Sequence, residues 1–130
     1  MIEIYTDGAS SGNPGMSGAG IYIKAYGIDY SFAIPLGICT NHEAEFYAVI
    51  KALEICKDKF PGDILSFRSD SKIVVDTIEK DYTNNKAFQP LLEKIRQEGK
   101  SFSYIFIKWI PNRTNQKADQ LAKQAIQQQY

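Results

Sequence analysis

The sequence predicts an α/β protein in which helices pack on a single mixed sheet. Three β-prone stretches come first, and helical and β-prone patterns then follow in the order βββαβααβα. The 130 residues, of which 44% are hydrophobic, are enough for one buried core but not for two. We therefore expect one domain over residues 1–130.

Turn-forming residues divide the first three strands. β-branched and aromatic residues predict a strand over residues 2–7, followed by a loop over residues 8–15. Residues 18–26 and 30–35 predict a hairpin whose turn is Gly27-Ile28-Asp29. The 8–15 loop lacks both Gly-Lys-Ser/Thr and Gly-x-Gly-x-x-Gly, which excludes the two common nucleotide-binding loops.

The first predicted helix begins after Thr40, because Thr40 and Glu43 have the spacing of a capping box. Its apolar stripe comprises Phe46, Val49, Ile50, Leu53 and Cys56. Glu45 belongs on the same inward side, since Val49 follows it by four residues. An unpaired buried carboxylate costs several kcal/mol, so Glu45 needs a partner, either Arg or Lys or a metal ion.

The second half of the chain continues the alternation of strands and helices. Residues 64–69 and 102–110 are predicted strands, and residues 71–80, 88–99 and 115–127 are predicted helices with apolar residues on one side. These elements complete a sheet with helices packed against it.

Composition excludes some classes of protein and leaves others open. Net charge is zero, but residues 1–63 carry four Lys+Arg against eight Asp+Glu and residues 64–130 carry eleven against seven. This asymmetry permits a basic face, although scattered surface charge explains it equally well. No apolar run approaches the roughly eighteen residues of a membrane span, and no signal peptide is evident. Cys39 and Cys56 are typical of small buried hydrophobic residues in a reducing cytosol, so we expect a cytoplasmic protein. No pattern indicates a dimer, and we expect a monomer.

Four carboxylates occupy positions that can converge. Asp7 and Asp70 follow predicted strands, and Glu45 and Asp119 lie on the apolar sides of predicted helices. Taken singly, each has a simpler explanation: an Asp at a strand end as a turn former or helix cap, Glu45 as a peripheral salt-bridge partner, and Asp119 as a solvated flank of its apolar stripe. Together, acids about 4–5 Å apart would repel by roughly 3–4 kcal/mol per pair at an effective dielectric near 20. Divalent cations would relieve that repulsion, and an all-oxygen site favours Mg²⁺ or Mn²⁺ over Zn²⁺.

Five short motifs together resemble ribonuclease H of type 1. They are Tyr5-Thr6-Asp7-Gly8-Ala9-Ser10, Gly12-Asn13-Pro14-Gly15, Thr40-Asn41-x-x-Ala44-Glu45, Ser69-Asp70-Ser71 and Asn115-x-x-Ala118-Asp119-x-Leu121-Ala122. They stand in the family's order and span nearly the whole chain. The resemblance implies the ribonuclease H-like fold, with a five-stranded mixed sheet in the order 3-2-1-4-5. It also implies an Asp-Glu-Asp-Asp metal site formed by Asp7, Glu45, Asp70 and Asp119.

The same resemblance implies an activity and a cofactor. The family hydrolyses the RNA strand of RNA/DNA hybrids with two Mg²⁺ ions about 3.5–4 Å apart, leaving 5′-phosphate and 3′-hydroxyl ends; Mn²⁺ is possible. We expect Asp7 to bridge the two ions. Glu45 and Asp70 would hold one side of the site, and Asp119 the other.

The resemblance also suggests which residues contact the hybrid. Expected contacts to the RNA strand, whose 2′-hydroxyls distinguish it, come from Gly8, Ala9, Ser10, Asn13, Thr40, Asn41 and His42, with Ser71 beside Asp70. Expected contacts to the DNA strand come from Lys72, Lys80, Tyr82 and Lys86. Two simpler roles remain open: Thr40 as the helix cap alone, and Tyr82 as a core residue.

The chain departs from many bacterial members of that family in two places. Only residues 81–87 join the second and third helices, where those members carry a basic, Trp-rich protrusion, so hybrid affinity should be modest and salt-dependent. The loop 109–115 before Asp119 contains no histidine; the only histidine in the chain is His42. Many members of the family have a catalytic histidine in this loop, and we expect Arg113 to take its place near the scissile phosphate. A salt bridge to a neighbouring acid is the alternative role of Arg113.

Two other classes of protein remain as alternatives. Resolvases, integrases and proofreading exonucleases share such a fold and also cluster acids, but the contiguous Thr-Asp-Gly-Ala-Ser and Thr-Asn-x-x-Ala-Glu motifs favour ribonuclease H. A catalytically weak or inactive module that binds hybrids or RNA is the non-enzymatic alternative. The complete set of four acids favours the enzyme.

Overall fold

The computed structural model describes residues 1–130 as a five-stranded sheet with four α-helices. The elements are β1 (Ile2–Ser10), β2 (Gly15–Ala25), β3 (Ile28–Cys39), α1 (Asn41–Lys59), β4 (Ile64–Ser69), α2 (Lys72–Lys80), α3 (Gln89–Gly99), β5 (Tyr104–Trp109), a 3₁₀ turn (Asn112–Thr114) and α4 (Gln116–Gln127). The predicted order of strands and helices is confirmed.

The sheet has the strand order β3-β2-β1-β4-β5, which confirms the order that the family resemblance implied. β2 is antiparallel to both of its neighbours, β1 and β3, whereas β4 is parallel to both of its neighbours, β1 and β5. The parallel pairs place the ends of β1 and β4 at one edge of the sheet, where helices and loops can contribute side chains.

β1 is longer than the sequence pattern predicts. The expected end at Asp7 is wrong, because β1 stays paired with β2 as far as Ser10, opposite Ser17. The predicted loop over residues 8–15 is therefore shorter and comprises residues 11–14. Its parallel pairing with β4 stops at Thr6, which lies opposite Ser69. Asp7 is therefore the first residue of β1 that has β2 on one side and no strand on the other.

The hairpin between β2 and β3 turns earlier than predicted. Tyr26 and Gly27 form the turn with φ of 53° and 77°, the left-handed conformation that tight hairpins need. Ile28 and Asp29, which the sequence assigned to the turn, already belong to β3. β3 then continues to Cys39 instead of ending at residue 35.

Helices cover both faces of the sheet around β1. α1 and α3 enclose the main core on one face, and α4 packs on β1, β2 and β3 on the other. The main core includes Ile2, Ile4, Ile21, Ile23, Phe46, Val49, Leu53, Leu65 and Phe67. Both cysteines are buried free thiols, as predicted, and burial raises the pKa of Cys56 to about 12. No helix combines the length and apolar character needed to cross a membrane.

Candidate active site

Three of the four predicted acids meet at the end of the β1–β4 pair. Asp7 on β1, Glu45 on α1 and Asp70 after β4 each offer a carboxylate oxygen, and these oxygens lie within 4.8 Å of one another. We call these three residues the acid group. Asp7 is buried, with 8% of its surface exposed, and the other two are partly exposed. The acid group thus joins side chains from three distant segments.

Gly8 explains how α1 brings Glu45 so close to Asp7. A Cβ atom at Gly8 would lie 2.2 Å from the carbonyl carbon of Ala44 and 2.4 Å from the backbone nitrogen of Glu45. Only glycine allows that approach of strand and helix backbones. Gly8 is therefore a glycine because a helix lies on the strand there. Residues 8–10 belong to β1 and do not form a loop.

A capping box fixes the start of α1, as predicted. The Thr40 backbone N–H donates to Glu43 Oε1 at 2.9 Å, and the Glu43 backbone N–H donates to Thr40 Oγ1 at 3.2 Å. Two otherwise unpaired donors of the first helical turn are thereby satisfied. The first turn of α1, which ends at Glu45, is held in register over β1.

The Asp70 carboxylate is oriented by the loop after β5. Asn112 Nδ2 donates to Asp70 Oδ2 at 3.1 Å, and Trp109 Nε1 donates to the Asp70 backbone carbonyl at 3.2 Å. Ser71 caps α2 by accepting from the Val74 backbone N–H at 3.4 Å. Asp70 therefore precedes the helix cap and is not itself the cap.

Asp119 approaches the acid group from the other face of the sheet. Gly20 pairs with Asp7 across β1 and β2, and a Cβ atom on Gly20 would lie 1.9 Å from the Ala118 carbonyl oxygen. α4 consequently rests on the sheet directly beside Asp7, and Asp119 on this helix contributes to the raised pKa of Asp7. Asp119 lies outside the acid group itself, and its Oδ2 accepts from Lys123 Nζ at 3.0 Å.

The acid group carries negative charge that no basic side chain compensates. No Arg or Lys pairs with its members; the nearest basic group is His42, with Nδ1 3.6 Å from Glu45 Oε2. Burial, then repulsion from Asp70, raises the pKa of Asp7 to about 9. Burial likewise raises the pKa of Glu45 and of Asp70. An all-oxygen donor set with uncompensated charge fits a hard divalent cation.

The predicted RNA-side residues gather where the turn after β1 meets α1. Asn13 Oδ1 accepts from the Asn41 backbone N–H at 3.0 Å, which ties residues 11–14 to the start of the helix. Thr40 and His42 flank Asn41 in the chain. Ser10 lies on β1, and its hydroxyl donates to the carbonyl of Gly12 and to that of Cys39. Gly8 and Ala9 precede it on the same strand.

The predicted DNA-side residues lie on and after α2. Lys72 Nζ sits 5.3 Å from the centre of the Trp109 ring. Tyr82 is 65% exposed and is therefore not a core residue; with Lys80 it borders a surface cavity of about 270 Å³. Lys86 is exposed in the segment that joins α2 to α3. Arg113 is exposed in the 3₁₀ turn, and the salt bridge considered for it does not form.

Sequence reasoning missed Asn115 as a site residue. Its side chain is 1% exposed, and Nδ2 donates to the Thr6 carbonyl at 2.9 Å, one residue before Asp7. Asn115 partly opposes the rise in the pKa of Asp70 that burial causes, and its backbone carbonyl accepts from the Asp119 N–H at 3.1 Å. Asn115 thus contacts the segments that carry three of the four acids. A polar residue before a helix suggests a cap, but this side chain does not cap α4.

Comparison with known proteins gives a consistent result. The family model for RNase H matches residues 1–127. EbsB of Enterococcus faecalis, which is named as a hydrolase, is 45% identical, with 100% of this chain and 97% of EbsB aligned. Ribonuclease HI of Halobacterium salinarum is 33% identical over 96% of this chain and 64% of its own length.

Solved structures agree with the sequence relatives. The crystal structure of RNase H1 from Halobacterium salinarum superposes with a TM-score of 0.90 at 32% identity, covering 98% of each chain. LC11-RNase H1, solved in complex with an RNA/DNA hybrid, superposes with a TM-score of 0.91 at 29% identity, covering 99% of each chain. Fold and site define an α/β protein of the ribonuclease H-like class. The chain belongs to the RNase H family, within its type 1 branch.

Proposed function

We propose that this protein is an endoribonuclease that hydrolyses the RNA strand of RNA/DNA hybrids and leaves 5′-phosphate and 3′-hydroxyl ends. The observation that carries the proposal is the acid group, whose oxygens lie within 4.8 Å of one another without an Arg or Lys partner. Family membership supports it, as does the similarity to a structure solved with an RNA/DNA hybrid. The expected partner is thus the hybrid.

The cofactor that suits this donor set is Mg²⁺, as two ions, with Mn²⁺ as a possible substitute. Asp7 lies between the remaining acids and would be shared by both ions. Glu45 and Asp70 would hold one side, and Asp119, on the opposite face of the sheet, would hold the other. When bound, such ions supply an activated water and stabilise the leaving 3′ oxygen.

The chain's own residues would position the hybrid and the acids. Asn112 would orient the Asp70 carboxylate, as outer hydrogen bonds commonly orient metal ligands, and Asn115 would hold the β1 backbone at Thr6, next to Asp7. Thr40, Asn41 and Asn13 form a polar rim suited to reading 2′-hydroxyls. The DNA strand would be contacted by three exposed lysines and one exposed aromatic ring, those of Lys72, Lys80, Lys86 and Tyr82. Arg113 would approach the scissile phosphate.

The decisive experiment is hybrid cleavage with Mg²⁺ and with EDTA. We expect EDTA to abolish cleavage, and Asp7→Asn or Asp70→Asn to reduce turnover at least about a hundredfold, the scale on which loss of one electrostatic group slows catalysis. Asp58→Asn, at an exposed acid near the end of α1, is the matched control and should cleave normally. Circular dichroism should show every variant folded. Full Mg²⁺-dependent activity in either site variant would refute the assignment.

A hybrid- or RNA-binding module with weak or no turnover is the second candidate. The observation that favours it is the pairing of Asp119 with Lys123, together with a loop that lacks a histidine. The same assay separates the two candidates. Hybrid binding in a gel-shift experiment without any Mg²⁺- or Mn²⁺-dependent product would favour the module.

A further inference from the structure

Part of one sheet face has no helix packed on it. On β4 and β5, Leu65, Phe67, Ile105 and Ile107 face the main core, so the residues between them point to the opposite face. α4 packs there on β1, β2 and β3 and passes close over Gly18 and Gly20. We define the open sheet face by Glu3, Lys24, Arg68, Tyr104, Phe106 and Lys108.

Two exposed aromatic rings lie side by side on this face. Tyr104 is 58% exposed and Phe106 is 48% exposed, and their ring centroids are 4.5 Å apart at an interplanar angle of 42°. Aromatic rings on a β-sheet are the surfaces on which single-stranded bases stack, and every base can use them because each has a π face. The pair Tyr104 and Phe106 offers such a surface.

Cations surround the Glu3 carboxylate on the open sheet face. Arg68 donates to Glu3, Lys24 lies opposite Glu3 across β1 and β2, and Lys108 lies opposite Arg68 across β4 and β5. All three cations lower the pKa of Glu3. Asp29, which pairs with Lys24 across β2 and β3, is a second carboxylate on this side of the sheet, so three positive and two negative groups leave a net charge of +1 in this region. The Arg68 guanidinium also lies 5.5 Å from the centre of the Tyr5 ring.

We propose that the open sheet face binds single-stranded nucleic acid. Bases stack on Tyr104 and Phe106, and phosphates lie near Arg68, Lys24 and Lys108. A cavity of about 210 Å³ bordered by Tyr5, Lys24 and Asn115 continues from this face toward α4. A strand held on the open sheet face can therefore run toward the acid group.

The positive charge of the open sheet face favours single-stranded nucleic acid over a second copy of the chain as its ligand. A two-fold dimer through the open sheet face would bring a net positive patch against an identical patch. A polyphosphate strand instead complements the three cations and releases counterions on binding. The proposed binding goes beyond hybrid cleavage, requires no metal and does not depend on the proposed catalytic function.

The test measures fluorescence anisotropy of labelled oligouridine and oligothymidine in EDTA. We expect both probes to bind, because stacking does not depend on the 2′-hydroxyl, and Phe106→Ala to weaken binding at least about fivefold. Tyr26→Ala is the matched control, since Tyr26 is an exposed aromatic residue of the β2–β3 turn whose ring packs on Phe60 of the main core, on the opposite side of the sheet, and should leave binding unchanged. Binding of only one probe would also support the proposal and would identify RNA or DNA as the ligand.

A charge variant supplies an independent measurement. Lys108→Ala should reduce the slope of log affinity against log salt concentration by about 0.7, the value for one phosphate contact on a single strand. Lys59→Ala, at an exposed lysine at the end of α1, which packs on the other face of the sheet, should leave the slope unchanged. Amide resonances of β4 and β5 should shift when the oligonucleotide is added.

Three results would overturn the proposal. They are binding of neither probe, equal losses in Phe106→Ala and Tyr26→Ala, or sedimentation showing a dimer that Phe106→Ala dissociates. Because EDTA keeps the acid group free of metal, these outcomes are distinguishable from failure of hybrid cleavage.

Discussion

The two sides of the acidic site balance their negative charge differently. Backbone packing at Gly8 brings Glu45 to Asp7 beside Asp70, and no Arg or Lys is paired with these three acids. Asp119, on the α4 side, carries its own cation in Lys123. The first side therefore depends on an added cation to relieve repulsion, whereas the second is neutralised until a ligand competes with a lysine.

Backbone contact is the feature that most strongly sets the first side apart. In Gly8→Ala the new Cβ would meet the α1 backbone, which cannot rotate away as a side chain can. We expect the free energy of unfolding to fall by about 3 kcal/mol, the upper range for overpacked sites, and hybrid cleavage to be lost as α1 moves away. Chemical denaturation and the cleavage assay measure both effects.

Gly99→Ala is the control for that comparison. A Cβ atom there would meet only the Ile105 Cδ1 atom at 3.0 Å, the end of a side chain that can move. Its unfolding free energy and activity should stay close to wild type. Wild-type stability and turnover in Gly8→Ala would show that Gly8 does not control the distance between α1 and β1.

Asn115 connects the two sides, and its removal should have the next largest effect. Asn115→Ala leaves the Thr6 carbonyl without its donor and removes the side chain that opposes the rise in the pKa of Asp70. Outer partners of metal ligands typically contribute about 10–100-fold to metal affinity, so Mg²⁺ binding measured by calorimetry should weaken by that factor. Asn112→Ala, which removes an exposed hydrogen bond to Asp70, should weaken it less. If Asn115→Ala lowers the melting temperature but leaves Mg²⁺ affinity unchanged, Asn115 is only structural.

Metal-free stability against pH tests whether the acid group is strained by its own charge. The pKa of Asp7 is raised to about 9 from 3.8, so the folded state binds a proton that the unfolded state has released between these values. The free energy of unfolding of the wild type should therefore fall as pH rises from about 4 to about 9, and that of the Asp7→Asn variant should fall less over the same range. At the upper pH we expect Asp7→Asn to melt at least about 4 °C higher, equivalent to roughly 1 kcal/mol.

The controls for the pH experiment isolate the acid group. Asp58→Asn should follow the wild-type curve, since Asp58 is exposed near the end of α1. Mg²⁺ should restore wild-type stability at the upper pH but have little effect on Asp7→Asn. The same melting difference between wild type and Asp7→Asn at both ends of the pH range would contradict the assigned strain.

The sequence predicted those features that periodicity and local motifs determine. Helical spacing placed Glu45 inward, and the capping box located the start of α1 at Thr40, both of which depend only on nearby residues. The sequence could not distinguish a glycine that permits a close backbone contact from one that makes a turn, so Gly8 was assigned to a loop. The buried role of Asn115 was missed because it depends on β1, which is more than a hundred residues away in the chain. Likewise, alternation along β5 showed that Phe106 and Ile107 face opposite ways, but which face lacks a helix is set by where α4 packs.

The Asp119 side should give the smallest effect of the series. Lys123 follows Asp119 by four residues on α4, and the lysine is largely exposed, so the pair stabilises the fold little. Lys123→Ala frees the Asp119 carboxylate, and the Mg²⁺ concentration for half-maximal cleavage should fall about two- to threefold, as for other exposed ion pairs. Lys117→Ala, at an exposed lysine of the same helix that has no ion pair, is the matched control for a lost positive charge. Equal Mg²⁺ requirements in the two variants would show that Lys123 does not compete with the metal, and Asp119 would then resemble the acid group in lacking an effective internal cation.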